Sequence, residues 1–151
     1  MPGRDPEDFD SDPIIEASEL TAMGAIARAK AILSKMLEAD LRCLDAHAHL
    51  GNILFDALSP DWALNHYEVG VRIGELSLGD DFEGLLPWGL VDNRPFLRCM
   101  YGYGVCLWRL ERWEEATGVF ERMLWMNPSD NQGIRFLLPE VAARNVWVDE
   151  D

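Results

Sequence analysis

The side chains with chemical potential in this sequence are Cys43, His47, His49, Cys99, Cys106 and the pair Glu114 and Glu115. Cys43 and His47 stand one helical turn apart and could share an ion, whereas His47 and His49 point to different faces of a helix. Two ligands fall short of a zinc site. Cys99 and Cys106 share a helical face but lie about 10 Å apart along it, beyond disulfide or chelate reach, so the reading is buried thiols. Glu114 and Glu115 beside Arg112 form a solvated helix face, and nothing isolates one carboxylate as an acid or base. No serine nucleophile elbow, phosphate-cradling glycine loop or paired-histidine zinc helix occurs, and Gly102, Gly104 and Gly118 fall inside helical stretches. The expectation is a protein with no catalytic residues, no metal and no cofactor, whose chemistry is recognition.

Composition narrows what could be recognised. The chain has 151 residues, 48% of them hydrophobic, enough for one domain that buries roughly two-thirds of its unfolded surface. Asp and Glu number 27 against 13 Lys and Arg, and the formal charge of −14 repels phosphate backbones and anionic membranes. Neither nucleic acid nor membrane is expected as a partner. No apolar segment follows Met1 and no run of about 18 apolar residues occurs, which with an odd cysteine count points to the reducing cytoplasm.

The elements that must position any binding residues are helical. Residues 1–13 carry five acidic residues and three prolines and read as an acidic tail. From Ile14 to about Glu38, apolar residues recur at three-and-four spacing, predicting one amphipathic helix. Further helices are expected over about 44–57 and 60–75, with Ser59 and Pro60 opening the latter. Residues 77–95 break this pattern with Gly79, Gly84, Pro87, Gly89 and Pro95 among Phe82, Leu85, Leu86, Trp88 and Leu90. A segment this apolar folds back onto the helices. Two helices follow over about 96–110 and 113–126, then a short one over about 130–138 that Pro139 interrupts, with Asp130 or Asn131 satisfying its free N–H groups. Residues 145–151 end in Asp149, Glu150 and Asp151 and read as a second acidic tail. No strand alternation occurs, so the fold class is all-α, about six helices over 14–144.

An internal repeat organises these helices. Leu50, Gly51, Leu54, Ala63, Tyr67 and Gly70 have the same mutual spacing as Tyr103, Gly104, Leu107, Ala116, Phe120 and Met123, with Pro128 closing the second set. A small residue on each helix lets the pair approach, and the aromatic fills the space beside them. Ala29, Leu33 and Met36 lie 34 residues before Ala63, Tyr67 and Gly70, while Ala63 to Ala116 is that period plus the 19 residues of 77–95. These residues resemble the tetratricopeptide repeat (TPR) family over about residues 20–138. The resemblance implies a short α-solenoid of helix-turn-helix repeats with a loop insertion, the first helix being half of an upstream unit. The early aromatic of each unit is replaced by His47 and Met100. Two full units are fewer than the three or so such stacks need, so the insertion and end helices must supply burial or the chain must form a homodimer.

In that family the first helix of each unit lines a concave groove for peptides. The resemblance places Asp45, Ala48, Asn52, Phe55 and Asp56 on one side, and Arg98, Tyr101, Val105, Trp108 and Arg109 on the other. Arginines beside large rings anchor partners, since Arg forks around carboxylates and the rings bury area at low entropic cost. Phe82 and Trp88 would lid or fill the groove; alternatively Tyr101 and Trp108 simply pack under that loop. Ala48 stands where the family's carboxylate clamp has Lys, which argues against chaperone-tail binding. The implied function is a protein-protein interaction module or adaptor binding a partner's peptide or helix. Two other readings are an acidic antidote that neutralises a basic partner through its charge, and an N-terminal tail folded into the groove near Arg98 and Arg109.

Overall fold

The computed structural model describes residues 12–148 other than 58, 80, 81 and 83. Among the described residues there are seven helices and no strand: α1 Pro13–Ala22, α2 Ile26–Ala39, α3 Leu44–Asp56, α4 Pro60–Leu78, α5 Arg94–Arg109, α6 Trp113–Met126 and α7 Ile134–Ala142. A 3-10 turn, Val91–Asn93, leads into α5. Each helix packs chiefly on the next, and α3 also lies along α5. No helix is long and apolar enough to cross a membrane among these residues.

The stretch expected as one helix from Ile14 is two. After Ala22 the chain turns at Gly24, whose φ of +80° is a left-handed conformation that suits glycine. The Gly24 amide bonds to the Thr21 carbonyl and the Ala25 amide to the Leu20 carbonyl, closing α1 before the apolar spacing resumes in α2. The same closure ends α5 and α7 with Glu111 and Arg144 as the left-handed residues, at φ of 61° and 58°. Asp12 caps α1 by accepting from the Ile14 amide at 3.0 Å, with Pro13 in the first turn.

α4 runs on to Leu78, and α5 presses against it because glycines open the way. A Cβ on Gly70 would collide with Cys99, and one on Gly74 with Phe96. Within each helical pair a glycine faces an aromatic ring: a Cβ on Gly51 would lie 2.5 Å from Tyr67, and one on Gly104 2.5 Å from Phe120. Two apolar clusters result, and α3 serves both. Ala46, Leu50 and Ile53 join Ala17, Leu20, Ala29 and Leu33, while Ala48 joins the larger cluster built on α4 to α7.

The loop between α4 and α5 folds back as its composition requires. Leu86 is buried, and its amide bonds to the Met126 carbonyl at 2.7 Å at the far end of α6. Asp130 carries the start of α7: its carboxylate accepts from the Ile134 amide at 2.6 Å and the Arg135 amide at 3.0 Å. α7 thus begins four residues later than the expected Asp130, with Gly133 at its N-cap. Pro139 lies inside α7 without ending it; proline removes one donor and crowds one carbonyl, and here the following turn closes normally on Pro139 and Val141.

Candidate functional site

α3 and α5 run parallel, since Asp45 meets Arg98 at their starts, 3.5 Å apart, and Phe55 meets Arg109 at their ends. The face they share carries the residues expected to line a groove, gathered into two clusters. Arg98 and Arg109 are separated by about 16 Å along α5.

The first cluster sits at the helix starts. The Arg94 and Arg98 guanidinium groups lie 5.1 and 5.5 Å from the centre of the Trp88 ring, within cation–π range. Arg94 Nε donates to the Trp88 carbonyl at 2.9 Å, and the Trp88 amide faces Asn127 Oδ1 at 3.5 Å. Asp45 Oδ1 is sealed from solvent with the Arg98 guanidinium as its counter-charge. Nearby, burial holds the His49 imidazole below its ordinary range, with Arg98 acting in the same direction and Asp45 against it.

The second cluster sits at the helix ends. Arg109 stacks 4.7 Å above the Phe55 ring and donates to the Phe55 carbonyl at 3.2 Å. Trp108, only 7% exposed, donates from Nε1 to the Asn145 carbonyl at 2.7 Å. The ring of Trp147 meets Trp108 edge-on at 4.9 Å and Phe55 edge-on at 5.7 Å. Arg144, in its left-handed turn, sends the chain after α7 back across this face. Trp108 is therefore covered by Trp147 and not by the loop containing Phe82 and Trp88. Phe82 packs half-buried against the larger core, and Trp88 covers the opposite end of the face.

Between the clusters, Tyr101 is half-buried on the core, and Asn52 Oδ1 accepts from the Tyr67 hydroxyl. Burial raises the Tyr67 phenol well above its ordinary range, so that hydroxyl stays a donor. Asp56 is exposed at the end of α3. Residues 1–11, and with them nearly all of the proposed N-terminal plug, lie outside the described residues.

Trp147 and Asn145 were not among the expected site residues, because residues 145–151 read as an acidic tail. The available signal was the alternation of Val146, Trp147 and Val148 before the acidic run, which puts one large ring alone on one side of an extended segment.

Burial pushes the Cys99 and Cys106 thiols up to about 12, so neither is a thiolate at neutral pH. His47 lies between the Leu41 carbonyl, 3.0 Å from Nε2, and His66, with Nδ1 atoms 3.4 Å apart. Among the described residues no three His, Cys, Asp or Glu side chains gather closely enough to hold a metal ion. On the other side of α5, a cleft of about 290 Å³ between α4 and α6 is lined by Val71, Met100, Tyr103 and Val119, with Glu75 and Arg122 also lining it. Comparison with models of known protein families, with curated proteins and with solved structures finds no match to this chain, so the α3–α5 face is interpreted from its own geometry.

Proposed function

We propose that this chain is a short stack of TPR-type helical pairs whose α3–α5 face receives a segment of a protein partner, an interaction module without chemistry of its own. The packing supports the repeat. Ala29, Ala63 and Ala116, at matched positions in α2, α4 and α6, are each 0% exposed. The glycine-on-ring contact recurs at Gly51 with Tyr67 and at Gly104 with Phe120. Shifting Gly51 and Leu54 back by one 34-residue period lands on Ala17 and Leu20 of α1, both buried. With α1–α2 as a third pair, the stack reaches the number of units such architectures need.

The observation that carries the functional reading is the concentration of arginine and aromatic side chains on one face of an otherwise acidic molecule. Arg94, Arg98 and Arg109 sit against Trp88 and Phe55 along a single helix pair, in a chain of formal charge −14. Guanidinium groups packed against rings and bonded to the Trp88 carbonyl, Asp45 and the Phe55 carbonyl are held in place, so they lose little freedom on binding.

The test is affinity capture from native lysate by the wild type and by the Arg98→Glu, Arg109→Glu variant, at low and high salt, with circular dichroism to confirm the fold. A protein retained by the wild type and lost with the variant at both salt levels supports the reading. A partner equally bound by both and released by salt alone points to the acidic antidote instead and overturns it.

A further inference from the structure

Resting on the reading of the α3–α5 face as a binding site, we infer that the segment Asn145 to Val148 is a stand-in for the ligand, and that the partner presents an extended peptide with a tryptophan at the position of Trp147. Three features define the ligand. The first is a carbonyl two residues before the tryptophan, because Trp108 Nε1 donates to the Asn145 carbonyl at 2.7 Å. This N–H belongs to a side chain of α5 that packs into the larger core cluster, so the donor stands on a rigid element. The second is the indole itself, which fills the notch between Phe55 and Trp108 with its ring edge-on to both, at 5.7 and 4.9 Å. The third is indifference at the flanking positions, since Val146 is 62% and Val148 is 75% exposed. Alternating contact and exposure is the pattern of an extended strand reading one side only.

Asn145 is tied back to Glu140, its amide donating to the Glu140 carbonyl at 3.0 Å and its Nδ2 to the Glu140 carboxylate at 2.7 Å. The segment contains no helix or strand, and of its three large apolar side chains only Trp147 contributes to a core cluster. A segment without helix or strand of its own, anchored to the helices through Asn145 and Trp147, opens locally more easily than the helices beneath it. An incoming peptide of the same pattern must displace it, and the intramolecular copy enjoys an effective concentration in the millimolar range. The face is thus kept covered, with its rings out of water, until a segment with more to offer arrives. The observed contacts select this occupant over a helix, which would present side chains every third or fourth residue and could not place a carbonyl and a ring on the same side two residues apart.

The experiment uses a fluorescein-labelled peptide of residues 143–151 and the full chain. Anisotropy titrations compare the wild type with Trp147→Phe and Trp147→Ala. The expected order of affinity is Trp147→Ala over Trp147→Phe over wild type, with at least a tenfold gap between the ends. The same peptide with its tryptophan replaced by alanine should not bind, and one with both valines replaced by serine should bind within about threefold of the original. Trp147→Phe keeps a ring in the notch and is the informative variant if Trp147→Ala loses its helical signal. Saturable binding in the expected order supports the inference. Absence of binding to a folded variant, equal binding to all three chains, or a peptide-insensitive dimer formed by exchanging tails overturns it. The titration needs no lysate partner. A capture lost on Arg98→Glu, Arg109→Glu together with an inert peptide would leave the binding face standing and remove this ligand, whereas peptide binding without any captured partner would support this ligand and remove recognition through the arginines.

Discussion

Two substitutions of the same kind, Gly104→Ala and Gly118→Ala, should move stability in opposite directions. Both glycines lie within helices, where alanine is favoured over glycine by about 1 kcal/mol. At Gly118 an added Cβ meets no atom within 4 Å, so the full gain of about 1 kcal/mol remains. At Gly104 it would lie 2.5, 2.9 and 3.0 Å from Cε1, Cζ and Cδ1 of Phe120. Carbon atoms rest at about 3.5–4.0 Å, so the ring must retreat by about 1 Å. Phe120 is 0% exposed and sits in the larger core cluster. Overpacking of this kind costs about 1–3 kcal/mol, leaving a net loss of up to about 2 kcal/mol after the helix gain. For a chain of this size the melting temperature should fall by up to about 8 °C for Gly104→Ala and rise by about 2–4 °C for Gly118→Ala. Thermal unfolding followed by circular dichroism reads both. Adding Phe120→Leu, which trims the colliding edge, should recover part of the Gly104→Ala loss with a coupling of at least about 0.5 kcal/mol. A Gly104→Ala chain as stable as Gly118→Ala, or strict additivity with Phe120→Leu, would refute the claim that the glycine-on-ring contact sets the spacing of the helical pair.

Other outcomes follow from separate features. Burial, His47 and Lys30 lower the His66 imidazole, and burial lowers His49; the unfolded chain therefore binds more protons, and stability is complete above pH 6.5 and declines as the pH falls below it. The urea midpoint should drop between pH 7.5 and pH 5.5, and His66→Gln should flatten that drop; an unchanged midpoint in the wild type would remove the effect. Of the three cysteines, Cys99 and Cys106 are buried and Cys43 is half-buried, so Ellman's reagent at pH 8 should label one thiol quickly and all three only in guanidinium. Asp130→Ala removes both acceptors at the start of α7 and places alanine at a φ of 50°, and a loss of about 2 kcal/mol is expected by urea titration. Glu111→Gly relieves a left-handed residue at the end of α5 and should stabilise by up to about 1 kcal/mol.

The two glycine-on-ring contacts were legible in the sequence, because the same packing calls for the same residue types. Gly51 and Tyr67 recur as Gly104 and Phe120, and the same contact follows from both. The break between α1 and α2 was harder to see, since the apolar spacing of α1 carries on into α2 and Gly24 is a single residue of positive φ within it. Comparing α3 with the residues one period earlier would have separated them. The arginines and rings of α3 and α5 were recognisable through the same periodicity. Their true cover was not, because Trp147 reaches Phe55 and Trp108 through ring contacts between residues far apart in sequence, and a single tryptophan in an irregular segment leaves no period to detect.

The bond from the Leu86 amide to the Met126 carbonyl has a mechanical consequence. In a row of helical pairs each coupled only to its neighbours, opening can start at an end and travel inward one pair at a time. Here the loop leaving α4 is tied to the far end of α6, so α5 and α6 are spanned by a brace anchored outside their own hairpin. Prying α6 away from α5 breaks that tie and frees the loop that orders the entry to α5 and carries Trp88. The two pairs are therefore expected to fray as one cooperative block, which makes a segment with exposed Leu85 and Leu90 less a surface ornament than the tendon that sets how far this half of the molecule can flex.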